Sequence, residues 1–258
     1  MALVTVGVSL KMYFGHRAAR DWAAEVADIA ATTPSVADGR VELFLAPGYL
    51  QLLPVLEAVA GTRVIIAAQD ASEHDSGPYT GEVSPAELAE IGVSLVELGH
   101  AERRRSYGDT DAVVAAKAAA ALRNGLVPVL CVGEPDRAAP ADALVFSAAQ
   151  VLSALRRAPA GHVVVAYEPV WAIGAAEPAS VDHIRAVTFG LRELLAGLPE
   201  RDGSTVIYGG SAGPGLLTTL GGDADGLFLG RFAHDPTALR DVLREAEELA
   251  TAREVART

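Results

Sequence analysis

The sequence predicts a single (β/α)8 barrel, and three observations carry that expectation. Short apolar runs rich in Val, Ile and Leu alternate with longer amphipathic or Ala-rich stretches, the order of repeated βα units. The runs are apolar along their length, as strands covered by helices on both faces are. The chain has 258 residues, 50% of them hydrophobic, with no Ser/Pro-rich linker. That length suits one barrel of roughly 250 residues better than two small domains, so one domain is expected over 1–258. A doubly wound open sheet is the competing arrangement, but no G-x-G-x-x-G follows the first run.

Taken in order, strand Leu3–Val8 leads to helix Ala18–Ala31, and strand Val41–Leu45 to helix Tyr49–Ala60. Strand Val64–Ala68 is followed by a long polar loop, Gln69–Glu82, and then by helix Pro85–Ile91, with Ser84 placed as cap and Pro85 in the first turn. Strand Ser94–Leu98 precedes helix Asp109–Asn124, which Gly125 stops. Strand Val127–Val132 precedes helix Asp142–Arg157. Strand Val163–Tyr167 runs into a Pro- and Gly-bracketed loop and then helix Val181–Ala196, with Ser180 as cap. Strands Thr205–Tyr208 and Gly226–Leu229, with helices Pro214–Leu220 and Pro236–Thr251, complete the eight units.

Asp and Glu total 33 against 21 Lys and Arg, a net charge of −12, which argues against nucleic acid or an anionic membrane as partner. The single cysteine, Cys131, excludes an intrachain disulfide and reads as a buried strand residue. With no second Cys or clustered His beside it, no metal site is expected. No basic and apolar leader opens the sequence, and no run approaches about 18 apolar residues, so a soluble cytoplasmic protein is expected.

The chemistry-bearing residues fall where the predicted strands end. Tyr167-Glu168-Pro169-Val170-Trp171-Ala172-Ile173-Gly174 is the most informative stretch, because it ends a buried strand in a carboxylate followed by a loop built like a lid. An apolar setting raises a Glu pKa toward the range useful for taking a proton from carbon. The first strand ends at Ser9-Leu10-Lys11-Met12 and the fourth at Gly99-His100-Ala101-Glu102-Arg103-Arg104. The seventh runs into Gly209-Gly210-Ser211 and the eighth into Gly230-Arg231. Barrel active sites lie at the C-terminal ends of the strands, and Gly-rich turns after strands seven and eight let backbone N–H groups approach an anion. Base, imidazole, ammonium and phosphate cradle therefore converge. Taken singly, Lys11 reads better as a solvated strand-end residue, His100 as the cap of a short helix, and Ser211 as a turn residue. Their joint placement favours catalysis. Glu102 and Arg104 are expected to form a buried structural pair holding the Lys11 head. His16, His74, His162, His183 and His234 show no partner pattern and are expected to face solvent or to pack.

These stretches, with Ala67-Ala68-Gln69-Asp70, Tyr79-Thr80-Gly81-Glu82-Val83-Ser84 and Asp225–Gly230, make the chain similar to the triosephosphate isomerase family over its whole length. The resemblance implies a TIM barrel without cofactor. It implies that Glu168 takes a carbon-bound proton beside a carbonyl, that neutral His100 polarises that carbonyl, and that Lys11 stabilises the enediolate and the phosphate. Ser9, Gly174, Gly210, Ser211, Gly230 and Arg231 are the expected substrate and phosphate contacts. Residues 169–179 would be a closing lid with Ile173 over the base. The 69–82 loop resembles an interdigitating homodimer loop, so Thr80 is expected beside Ser9 or Lys11 of a second subunit.

Departures from the family pattern bear on the substrate. The family usually has Asn where Ser9 stands, Ser where Ala101 stands, a Thr-Gly-Lys type of lid tip where Ala175-Ala176-Glu177-Pro178 stands, and Gly-Gly where Gly230-Arg231 stands. Ser for Asn removes roughly two heavy atoms from the pocket wall, room for a fourth carbon. The Ser-Leu-Lys-Met, Pro-Ala-Ser and Gly-Leu-Phe-Leu-Gly-Arg strings resemble the L-erythrulose-1-phosphate isomerase branch, which implies interconversion of L-erythrulose 1-phosphate and D-erythrulose 4-phosphate in tetritol breakdown. The alternatives are the triose reaction, between dihydroxyacetone phosphate and glyceraldehyde 3-phosphate, and a barrel that only binds a phosphosugar.

Overall fold

A computed structural model describes residues 3–256. Parallel strands close into a barrel in chain order: β1 (Val4–Ser9), β2 (Val41–Ala46), β3 (Ile65–Ala68), β4 (Leu95–Leu98), β5 (Val127–Val132), β6 (Val164–Tyr167), β7 (Thr205–Tyr208) and β8 (Gly226–Leu229). The register runs from Val4 opposite Val41 to the seam, where Val8 faces Leu229. Every strand expected from the sequence is present, and β1 extends to Ser9.

The helices are α1 (His16–Thr32), α2 (Pro34–Ala37), α3 (Leu52–Ala58), α4 (Pro85–Glu90), α5 (Ala101–Tyr107), α6 (Asp111–Arg123), α7 (Pro140–Leu155), α8 (Val181–Ala196), α9 (Leu216–Leu220) and α10 (Pro236–Val255). The caps read from the sequence at Ser84 and Ser180 are formed: Ser84 Oγ accepts from the N–H of Ala86 and Glu87, and Ser180 Oγ from that of His183. Two expectations need correction. The helix expected over Tyr49–Ala60 divides into a 3-10 turn, Tyr49–Gln51, and α3. The helix expected from Asp109 starts at Asp111, because Thr110 Oγ1 accepts from Val113 N–H. The short helix that a capping His100 implies, α5, precedes it and ends at Gly108 in the left-handed region. It buries no residue, so no apolar periodicity marked it in the sequence.

Two apolar layers form the core. Alternate strand residues such as Val6, Val8, Leu43, Leu45, Val96 and Leu98 face outward against the helices. Phe44, Ala67, Leu95, Val129, Cys131, Ala166, Ile207 and Phe228 fill the barrel interior. Gly7 makes that filling possible, since a Cβ there would lie 2.1 Å from the Phe44 ring. The strands are not apolar throughout, as the sequence was expected to show: Glu97 of β4 is 4% exposed. Among the described residues no helix is long and apolar enough to cross a membrane.

Candidate active site

The barrel's C-terminal mouth opens into a cavity of about 590 Å³, lined among others by Ser9, Lys11, His100, Glu168, Gly174, Ser211, Gly230 and Arg231. Of the residues expected at the site, all but Gly210 line it; Gly210 lies one residue behind the wall, where a Cβ would lie 2.5 Å from the Tyr208 hydroxyl oxygen.

Glu168 follows β6 and is buried. Its Oε2 has no hydrogen-bond partner and stands 3.5 Å from His100 Nε2. Burial, then the nearby charge of Glu97, raises its pKa to about 8, against the pull of Lys11 and a hydrogen bond with Cys131. An orphaned, buried carboxyl oxygen facing a cavity is the geometry of a waiting base. Gly209 is what admits it, because a Cβ there would fall 2.5 Å from Glu168 Oε1.

His100 caps α5, its Nδ1 accepting from Glu102 N–H at 3.1 Å. The capping and catalytic readings therefore combine: the cap occupies Nδ1 as an acceptor, so the neutral ring carries its proton on Nε2, which faces Glu168. Burial and the Lys11 charge hold its pKa down at about 4, keeping the ring neutral.

Lys11 has φ 49°, and Ser211 has φ 54°; these are the only positive-φ residues other than glycine among the described residues, and both line the cavity. Backbone strain of this kind collects at functional sites. Gln69 Nε2 pins the Lys11 loop by donating to the carbonyls of Lys11 and Ala46. Burial disfavours the ammonium, but Glu102, Glu168 and Glu97 outweigh it, and the Lys11 pKa rises. Glu102 holds the Lys11 Nζ at 2.6 Å. The expected buried Glu102 and Arg104 pair does not form: Arg104 donates instead to the Gly99 carbonyl and to Asp111, and the Glu102 side chain is 44% exposed.

Residues 169–179, the segment expected to close as a lid, are tied down at several points. Ala179 N–H donates to the Tyr208 hydroxyl at 2.9 Å, Ser211 Oγ donates to the Ala175 carbonyl at 2.7 Å, and Trp171 Nε1 donates to Glu134 at 2.8 Å. The Arg231 guanidinium stands over the tip, 3.7 Å from where a Gly174 Cβ would be.

Sequence reasoning missed a hydrogen-bonded cluster behind this segment. Buried Glu134 also accepts from the Tyr167 hydroxyl, which is 2.8 Å from His183 Nε2. His183 is thus a partnered core histidine, where solvent or simple packing was expected. Its partners are distant in sequence, so spacing gave no signal. Glu97 did leave one, as a lone carboxylate inside the apolar run Leu95-Val96-Glu97-Leu98.

A closed (β/α)8 barrel with an unpartnered carboxylate, a neutral imidazole, an ammonium and glycine-rich turns around one mouth defines a sugar-phosphate isomerase. The triosephosphate isomerase family profile matches residues 4–246. The chain is 47% identical over 255 residues to an L-erythrulose-1-phosphate isomerase of Pectobacterium atrosepticum, covering 96% of this chain and 97% of that one. It is 38% identical to a protein of the same name from Mesorhizobium japonicum, over 93% of this chain and 96% of that one. A triosephosphate isomerase of Mycobacteroides abscessus is 42% identical over 196 residues, 72% of this chain and 75% of that one. The chain belongs to the triosephosphate isomerase family.

Proposed function

We propose that this enzyme interconverts L-erythrulose 1-phosphate and D-erythrulose 4-phosphate through an enediolate, in tetritol (erythritol) catabolism. The observation that carries the chemistry is the orphaned Glu168 Oε2 facing His100 across a cavity that Lys11 shares. Glu168 takes the proton from the hydroxyl-bearing carbon next to the carbonyl, and the electron pair moves through the new C=C bond onto the carbonyl oxygen. His100 Nε2–H donates to that oxygen and then takes the proton of the neighbouring hydroxyl. Glu168 returns its proton to the former carbonyl carbon. Lys11 stabilises the negative oxygen in a site that the lid keeps dry. Backbone N–H groups around Gly174, Ser211 and Gly230, with the Arg231 side chain, cradle the phosphate. Neither a metal nor an organic cofactor has a part in these steps.

The choice of a tetrulose phosphate rests on Ser9 in the cavity wall and on the near-complete coverage of the L-erythrulose-1-phosphate isomerases. Triosephosphate isomerase activity is the second reading, supported by the shorter matches to enzymes of that name. Assay of the wild type on L-erythrulose 1-phosphate and dihydroxyacetone phosphate side by side separates them. The tetrulose phosphate should have the higher kcat/KM; a higher value for the triose phosphate replaces the first reading with the second, and no turnover of either leaves a binding barrel.

A homodimer accompanies this reading, over one domain spanning 1–258. The 69–82 loop carries an exposed tip in which Tyr79 stacks on His74 at 3.8 Å, and elsewhere Met12, Leu50 and Leu53 also expose apolar surface. Exposed apolar surface of this kind fits an isologous contact in which Thr80 approaches Ser9 or Lys11 of a second copy. Sedimentation at micromolar protein should show a dimer, and a monomer would refute it. A cytoplasmic location also fits, since a phosphosugar dianion does not cross a bilayer unaided.

A further inference from the structure

One buried carboxyl, Glu97, stands just behind the cavity wall and takes no part in the chemistry above. Glu97 is on β4 and points into the barrel on the same side as Leu95, one layer nearer the mouth. A carboxyl in that apolar interior is costly unless it has a partner or a task. Among the described residues its one hydrogen bond is with Ser9, whose Oγ donates to Glu97 Oε2 at 2.9 Å. No cation pairs with it directly, because the Lys11 ammonium goes to Glu102. Ser9 lines the cavity and Glu97 stands behind it. A serine hydroxyl that donates backward to a carboxylate keeps its lone pairs for a donor in front. Burial also pushes the Glu97 pKa up to about 7, so near neutrality the pair offers both a donor and an acceptor.

The position of this pair says which end of a ligand meets it. In the closed order β1 to β8, β4 lies across the barrel from β8; Ser9 ends β1, a neighbour of β8, but its Oγ is turned inward to Glu97 on β4. The anion cradle is at the ends of β7 and β8. A sugar phosphate anchored there and reaching over Glu168 and His100 places its far end against β4 and the end of β1. In a triose phosphate that end carries only hydrogen beyond the reacting carbons. In a tetrulose 1-phosphate it carries a hydroxymethyl group, which is both donor and acceptor.

We propose that Ser9 and Glu97 form a hydroxyl-recognising subsite, which selects ketose phosphates bearing a hydroxymethyl group beyond the reacting carbons. Ser9 Oγ accepts from the terminal hydroxyl, and Glu97 orients Ser9 and closes the hydrogen-bonded chain. This subsite rests on the reading of the substrate as a tetrulose phosphate and adds the hydrogen bonds that distinguish it. Room alone would admit a terminal methyl as readily as a hydroxymethyl group. A site built to hydrogen-bond a hydroxyl discriminates far more strongly than one that merely has space.

The test uses the full-length enzyme with L-erythrulose 1-phosphate, its 4-deoxy analogue and dihydroxyacetone phosphate. Wild type should favour the hydroxymethyl substrate over the deoxy analogue by about 100-fold or more in kcat/KM. Ser9→Ala and Glu97→Val should collapse that ratio toward unity, and Glu97→Gln, which keeps the shape and a hydrogen-bonding group, should retain much of it. Ser9→Ala and Glu97→Gln are nearly isosteric, so the ratio remains measurable if Glu97→Val fails to fold. A change that acts only through the charge on Glu168 would shift the pH profile for all three substrates together and leave the ratio intact, which overturns the subsite. A wild type that prefers the hydroxymethyl substrate but does not separate it from the deoxy analogue also overturns the subsite alone. A wild type that isomerises dihydroxyacetone phosphate and not L-erythrulose 1-phosphate overturns the substrate reading and the subsite together.

Discussion

The two halves of the barrel mouth are built on opposite plans. At the ends of β1, β4 and β6 the strands deliver polar or ionisable side chains, and all but the unpartnered Oε2 of Glu168 are held by neighbours: Lys11 by Glu102, His100 by the Glu102 N–H, Ser9 by Glu97. At the ends of β7 and β8 the chain supplies mostly backbone and space, through Gly209, Gly210, Ser211 and Gly230. On the proposed function the first half moves protons and needs particular side chains. The second half holds a dianion and needs the near absence of them. Substitution in the first half should therefore act on kcat, and substitution in the second on KM or, through crowding, on the position of the base.

The largest effect expected is at the base. Glu168→Gln should lower kcat by roughly 10³-fold or more, while inorganic phosphate binds nearly as before, because the cradle does not use this carboxylate. Activity within about tenfold of wild type would refute the assignment.

Gly209→Ala tests the boundary between the halves. The new methyl would collide with the Glu168 carboxyl, and a displacement of about 1 Å typically costs on the order of 100-fold in rate. Steady-state kinetics should show this loss in kcat, with circular dichroism unchanged. A loss confined to KM would mean that Gly209 serves the cradle and not the base.

A smaller effect is expected at Arg231, where the second half does add a side chain. Arg231→Ala should raise KM about tenfold, one charge-assisted hydrogen bond, with kcat little affected. Equal loss in kcat would place the guanidinium in the reacting half.

The pH dependence follows from the two buried carboxyls. Glu97 and Glu168 titrate at about 7 and about 8, both above the ordinary value of 4.5 that the unfolded chain restores. Between these values the native state binds more protons than the unfolded state, so stability should fall as pH rises from 4.5 to about 8. Activity should climb over the upper part of the same window, because the base works ionised. Denaturant midpoints measured across pH should decline for wild type and flatten for Glu97→Gln; a rising wild-type curve would contradict the burial argument.

The same division explains what the sequence disclosed. The strands were legible because buried β-branched runs are local patterns, as in Val163–Tyr167. Lys11, His100 and Glu168 were legible because strand ends in a barrel share one face. The extent of helix α5 was not, since it rests on no apolar stripe and only its cap, His100, pointed to it. The Glu134, Tyr167, Trp171 and His183 cluster was not either, because it joins residues separated by up to 49 positions through side chains alone. Glu97 was visible as a lone carboxylate in an apolar strand, but only the fold shows that Ser9 is its partner and β8 its opposite.

The account turns on Glu168 carrying a proton between adjacent carbons, and isomerisation in D2O tests that step directly. L-erythrulose 1-phosphate should yield D-erythrulose 4-phosphate with a solvent deuteron at the carbon that was the carbonyl, seen by NMR in at least part of the product, and Glu168→Gln should abolish both turnover and exchange. Product that stays wholly protonated during rapid turnover would show that hydrogen moves between the carbons without visiting an exchangeable carboxylate, and would contradict the account.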